Sequence, residues 1–205
     1  MVEWGNMKDI ISKEELNEWL KIEGEIRGHS IKNTGEFILK EEGKEGLEKL
    51  ESTMAELGYP IKYSKIKETN YYPAKTLAIT FVLIERIFNY DTKKFQEMGK
   101  FRAKFSIIMR MLMRYLISLD RAIKEMPKMW RKFLTTGDAR VVSFDKKEKW
   151  AIIRIENYHF HQIQCRVIEG IFSTILQAIV KSNVTCQEIK CVHRGDKYHE
   201  FLLKW

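Results

Sequence analysis

The sequence has no apolar run approaching the ~20 residues that a helix needs to cross a bilayer. Its first residues, MVEWGNMKDIISKEELNEWL, lack the basic start, apolar stretch and small-residue cleavage site of a secretory leader. A cytoplasmic protein without a membrane span is expected, in which Asn183-Val184-Thr185 is not a glycosylation acceptor. There are only three cysteines, all after residue 164, which is no disulfide framework for such a compartment. Their roles reduce to burial, reactivity or metal ligation. Histidine is unevenly placed as well: His29 stands alone, and His159, His161, His193 and His199 lie in the C-terminal third. A P-loop, a dinucleotide glycine fingerprint, a nucleophile elbow and a metalloprotease helix are all missing. No pair of Glu, Ser or Lys residues is set apart by spacing, so the chain is expected not to be an enzyme. The net charge of +8 comes without an Arg/Lys-rich tail or a nucleic-acid motif, and 28 acidic residues are interleaved with 36 basic ones. That pattern describes a solvated basic surface rather than a nucleic-acid groove.

What is present is a chain of 205 residues, 44% hydrophobic and 31% charged, the balance of a globular protein with one sizeable core. Ser12-Lys13-Glu14-Glu15 has capping-box form, and Leu16, Trp19 and Leu20 supply an apolar stripe, predicting a helix over 13–22. Residues 1–23 are read as an N-terminal helical extension and 24–205 as a single domain. Gly24 to Ile31 is a short strand or connector, and Phe37, Ile38 and Leu39 give a brief helix ending at Gly43. Leu47, Leu50, Met54 and Leu57 recur at helical spacing until Gly58-Tyr59-Pro60. Tyr71-Tyr72-Pro73 opens a stronger helix, followed by helices over 91–98, 100–118 and 119–135, the last bent or restarted at Pro127.

After Gly137 the pattern turns to β-branched and aromatic runs, 139–144 and 150–156, joined by a charged turn. A helix over 164–181 and a second hairpin, 184–193 with 198–203 around Arg194-Gly195-Asp196-Lys197, complete a β-β-α-β-β arrangement. The predicted fold class is α+β, with an N-terminal helical layer packed on a small antiparallel sheet.

Cys165, Glu188, Cys191 and His199 form a possible zinc set, because zinc takes four N, S or O donors in a tetrahedron. Cys191 and His199 stand on the two arms of the last hairpin, and Cys165 begins the helix before it. Glu188 lies three residues before Cys191, so an unbroken strand sends the two side chains to opposite faces. A bulge is required if both are to serve. The alternative is a buried small thiol at Cys165 beside an exposed hairpin with polar tips. His159 and His161, two apart at a strand end, are read as surface or capping residues.

The span from about Gly137 to Trp205 resembles the 4-vinyl-reductase-type domain, found in phenol- and xylene-responsive regulators. In the aromatic-sensing members a helical Cys and a Glu-x2-Cys-x7-Cys hairpin hold zinc. Cys165, followed 23 residues later by Glu188-x2-Cys191-x7-His199, matches the first three positions, with His199 where a Cys is expected. The resemblance implies a structural zinc in a closed site and leaves Cys186 outside it. Gly24 to Gly58, Tyr72-Pro73 and Met129-Trp130-Arg131-Lys132-Phe133 with Gly137 are similar to bacterial relatives of haem-nitric-oxide sensor domains. Residues 32–158 contain no His, and Tyr63-Ser64-Lys65 does not reproduce the propionate-binding motif, so a haem held in that way is not expected.

Sensors of the vinyl-reductase type enclose an apolar ligand between helices and sheet. The candidate lining here is Phe101, Phe105, Met109, Met113, Met129, Trp130, Phe133, Phe160 and Phe172, a stripe that also suits an ordinary core. Trp130 and Phe133 are placed at the cavity first. The resemblance implies a small-molecule-binding sensory domain, homodimeric, signalling by contact with a separate effector protein. The other expectation is a ligand-free dimeric assembly adaptor with the fold of vesicle-tethering subunits.

Overall fold

The computed structural model describes residues 10–105 and 118–205. The capping box forms as the sequence predicts. Ser12 Oγ accepts from the Glu15 amide at 3.1 Å, the Glu15 carboxylate accepts from the Ser12 amide at 3.2 Å, and α1 (Lys13–Leu20) follows. The helix is tied down from outside: Arg86 donates to both Glu15 oxygens at 3.0 and 2.5 Å, and Trp19 meets the His161 ring edge-on at 4.3 Å.

A short strand, β1 (Glu25–Arg27), leads straight into α2 (Gly28–Glu56), so the helix starts earlier than predicted and spans both helices expected there. The cause lies 40 residues downstream. The Gly28 and His29 amides, orphaned at the helix start, donate to the carbonyls of Asn70 at 2.7 Å and Glu68 at 3.1 Å. At Gly43, with φ of 71°, the helix kinks rather than stops. Tyr71–Pro73 is not the opening turn of a helix but β2, antiparallel to β1; α3 (Ala74–Phe88) begins after Pro73. α4 (Thr92–Phe105) passes unbroken through Gly99, and α5 (Leu119–Phe133) passes through Pro127 as one element.

The C-terminal part has the predicted order: β3 (Asp138–Asp145), β4 (Trp150–Glu156), α6 (Ile163–Val180), β5 (Thr185–Lys190) and β6 (His199–Lys204). The strands form a four-stranded antiparallel sheet in the order β3-β4-β6-β5. Along β4 Ala151, Ile153 and Ile155 alternate inward, and Phe201 of β6 meets Phe172 of α6 with ring centres 5.5 Å apart. The architecture is α+β, with helices packed on a small antiparallel sheet. Among the described residues α6 alone is long and apolar enough to cross a membrane by length and composition, yet 61% of it is buried inside the fold. Its apolarity serves the core.

Candidate metal centre and apolar cavity

β5 contains the irregularity that the spacing of Glu188 and Cys191 requires. Glu188 pairs with Phe201 and Lys190 with Glu200, so Ile189 is an extra residue, and its side chain is exposed. The bulge is anchored from α6, where Glu169 accepts from the Glu188 amide at 2.7 Å and from Gln96 Nε2 at 2.6 Å. Cys191 follows the strand. Arg194-Gly195-Asp196 is the turn, with Gly195 at φ of 91°, where glycine is favoured, and Asp196 accepting from the Cys191 amide at 2.8 Å.

Cys165 at the start of α6, Glu188, Cys191 and His199 are thereby brought together, all four buried, with their ligand atoms within 4.8 Å of one another. Cys165 Sγ lies 3.6 Å from His199 Nδ1, which lies 2.9 Å from Glu188 Oε1. A zinc tetrahedron has donor-to-donor edges of roughly 3.3–3.8 Å, so the donors need only a small adjustment. The surroundings also suit a metal. His199 Nε2 lies 3.1 Å from the Tyr158 carbonyl, so with a metal on Nδ1 the ring proton would sit on Nε2 and be donated there, whereas without one the Nδ1 proton is donated to Glu188 Oε1 at 2.9 Å. Glu188 Oε2 is taken by Arg166 at 2.5 Å and Arg194 at 3.4 Å, leaving Oε1 toward the cluster.

Burial pushes the thiols of Cys165 and Cys191 up, and the neighbouring Glu188 carboxylate adds to this. Burial also pushes the Glu188 carboxyl up, but hydrogen bonds with His199 and the two thiols, together with Arg166, outweigh it and hold the group below the usual carboxylate range. A divalent cation would reverse the penalty on the thiols by stabilising them as thiolates. Cys186 pairs with Leu203 in the ladder, outside the cluster. His159 is exposed, and His161 caps α6, its Nδ1 accepting from the Ile163 amide at 3.3 Å.

A cavity of about 140 Å3 lies between α4, α5, α6 and the sheet, and Gln164, the chain neighbour of Cys165, is among its lining residues. Met129, Trp130, Phe133 and Phe172 line it as predicted. Trp130 is fixed by its Nε1, which donates to the Thr136 carbonyl at 3.0 Å. Three predicted residues are elsewhere. Phe101 stacks on Phe105 at 4.5 Å and packs against Phe37, Phe105 is 55% exposed, and the buried Phe160 stacks on Tyr158 at 5.7 Å. Phe101 and Phe105 are turned away because the Arg102 and Ala103 side of α4 faces the cavity, and Phe160 belongs to the connection between β4 and α6. Met109 and Met113 fall outside the described residues.

Sequence reasoning missed His29, Ser30, Arg102 and Gln164, the polar members of an otherwise apolar lining. The signal available for His29 was its isolation from the other histidines. Its ring is pushed down to about 3, first by burial and then by Arg102 and Arg27, and His161 is held at about 4 by burial, His193 and Arg86. A base depressed in the folded state leaves stability intact above the unfolded value near 6.5. Stability then falls with pH, because only the unfolded chain takes up the proton. Each ring removes roughly 2 kcal/mol by pH 5. Urea unfolding at pH 7 and pH 5 measures the loss, and His29→Gln is expected to reduce it by about half. Equal losses in the two proteins would contradict this assignment.

No protein-family model matches the chain, and no curated protein matches it. Its fold does match solved structures. The H-NOX protein from S. oneidensis in the Fe(II)NO ligation state superposes with a TM-score of 0.66 at 9% identity, covering 87% of this chain and 98% of that one. The Fe(II) unliganded H-NOX protein from K. algicida gives 0.62 at 8% identity, covering 87% and 96%. The phenol-responsive sensory domain of the transcription activator PoxR with phenol gives 0.52 at 12% identity, covering 65% and 74%. The fold is therefore one used by H-NOX proteins and by a phenol-responsive sensory domain. A haem does not fit the residues here: the cavity is far below the size of a porphyrin, Met129, Trp130 and Phe133 line it, and among the described residues His29 is the one histidine in its lining.

Proposed function

We propose that this chain is a cytoplasmic small-molecule-binding sensory domain for an apolar or aromatic ligand, stiffened by a structural zinc on Cys165, Glu188, Cys191 and His199. The carrying observation is an apolar cavity of about 140 Å3 in a fold that also gathers a buried four-donor cluster, with α6 contributing to both. A cavity of ~150 Å3 is large enough to accept a molecule the size of benzene. Two cysteines, a histidine and a carboxylate suit zinc by donor type, and four protein donors leave no position for a reactive water. The metal would pin the last hairpin to α6, and the protein would be no enzyme. α6 links the two sites: Cys165 would bind the metal, while Gln164 beside it and Phe172 further along line the cavity. Ligand occupancy would pass through α6 to a homodimer surface and on to a separate effector protein. An open cavity favours this reading over a ligand-free assembly adaptor, whose interior would be filled.

Native mass spectrometry of the protein taken from cell extract tests the reading in one measurement. The expected spectrum is a dimer with one zinc per chain and a retained mass of a few hundred daltons or less. Chains that carry neither metal nor small molecule, and that take up neither when supplied, would overturn it.

A further inference from the structure

The buried acids of this fold obey a rule that Arg102 breaks. Glu51, Glu169, Glu188 and Glu200 are each buried and each paired, with Lys62, Arg166, Arg166 and Arg154 respectively. Arg102 is 5% exposed, and among the described residues it has no ion pair and its Nη1 has no hydrogen-bond partner. A guanidinium stays charged when buried, and an unpaired buried charge is strongly disfavoured. Two further unpartnered polar atoms belong to the same cavity lining, His29 Nε2 from α2 and Gln164 Oε1 from α6. Ser30 Oγ lies 3.4 Å from His29 Nδ1; when it donates there, the ring proton sits on Nε2, a second donor beside the cation.

A neutral ligand leaves the Arg102 charge uncompensated, whereas an anion supplies the missing partner. The fork of a guanidinium matches a planar two-oxygen group, a single cation suits a monoanion better than a phosphate dianion, and about 140 Å3 leaves room for one ring. We propose that the cavity takes an apolar monocarboxylate of single-ring size, its carboxylate held by Arg102 and His29 and its hydrocarbon body by Met129, Trp130, Phe133 and Phe172. This inference rests on the small-molecule-binding reading above and adds the charge and head group of the ligand.

Calorimetric titration of the full chain with benzoate, its neutral isostere nitrobenzene, and toluene tests it. Benzoate is expected to bind at least about 10-fold more tightly than nitrobenzene, since hydrogen bonds to a charged group are the strong ones. Arg102→Met removes that preference and leaves toluene binding within about threefold, while Arg102→Lys, a point charge without the fork, keeps part of it. Equal binding of all three by the unaltered chain, or a benzoate preference that survives in Arg102→Met, overturns the carboxylate assignment and leaves the small-molecule reading standing. Failure of all three to bind the unaltered chain overturns both. Should Arg102→Met not fold, the unaltered chain and Arg102→Lys decide the matter.

Discussion

Chelation of the purified protein is expected to release about one zinc per chain and to lower its melting temperature by roughly 10–20 °C. Structural zinc binds zinc-finger peptides with apparent free energies of ~10–16 kcal/mol, and metal that binds only the folded chain stabilises it through mass action. This fold has a core of its own, so only part of that energy need appear as stability. A contribution of about 5 kcal/mol corresponds to the stated shift, at ~2–4 °C per kcal/mol for a chain of this size. Individual substitutions locate the effect. Cys165→Ser and His199→Ala should lose the metal and melt near the chelated protein, because each removes one of four buried donors. His199→Cys should keep the metal, since thiolate is an equally good zinc ligand. Cys186→Ser should change neither quantity, its residue being a partner of Leu203 in the sheet. A chelated protein that melts unchanged, or a Cys186→Ser that costs as much as Cys165→Ser, would remove zinc from the account.

The parts of this molecule legible in the sequence are those fixed by neighbours a few residues away. The Ser12 box, the alternation along β4, the apolar face of α6 and the turn at Gly195 all follow from local spacing, and each forms. The β-β-α-β-β order follows from the same signals. The four candidate donors were nominated together by the family resemblance rather than by spacing alone, and the one geometric obstacle between Glu188 and Cys191 named its own remedy in the bulge after Glu188. What the sequence hid depends on distant partners. α2 begins at Gly28 because carbonyls of Asn70 and Glu68 receive its first amides, and Tyr71–Pro73 extends because β1 pairs with it. The lining of the cavity was half legible for a related reason. Apolar periodicity identifies a buried face without saying which neighbour it faces, so Phe101 and Phe105 stayed among the candidates behind Trp130 and Phe133. His29 and Arg102 carry no apolar signal at all, and their burial could be learned only from the packed fold.

Alanine at Gly99 or at Gly170 is expected to destabilise the protein by roughly 3 kcal/mol, as severe as a poorly accommodated core insertion. α4 and α6 touch through their backbones at these two residues. A Cβ on Gly99 would sit 2.1 Å from the Val167 carbonyl oxygen, and a Cβ on Gly170 would sit 2.1 Å from the Gln96 carbonyl oxygen. Backbone oxygens cannot turn aside as a flexible side chain does, so the helices must separate. Both glycines are buried, which explains why the predicted helix break at Gly99 is absent: the glycine is there for the approach of another backbone, not to end an element. The two substitutions relieve or violate one crossing, so the double variant should cost clearly less than the sum of the single ones. Urea unfolding of the three variants measures this directly, and singles that cost under about 1 kcal/mol would show that the crossing yields. The consequence reaches function because α4 carries Arg102, while α6 carries Gln164 beside Cys165 and, further along, Phe172. Separating these helices displaces one wall of the cavity from the other and moves the Cys165 end of α6 relative to the hairpin. Gly170→Ala should therefore weaken benzoate and toluene alike, in contrast to Arg102→Met, which is expected to affect benzoate alone.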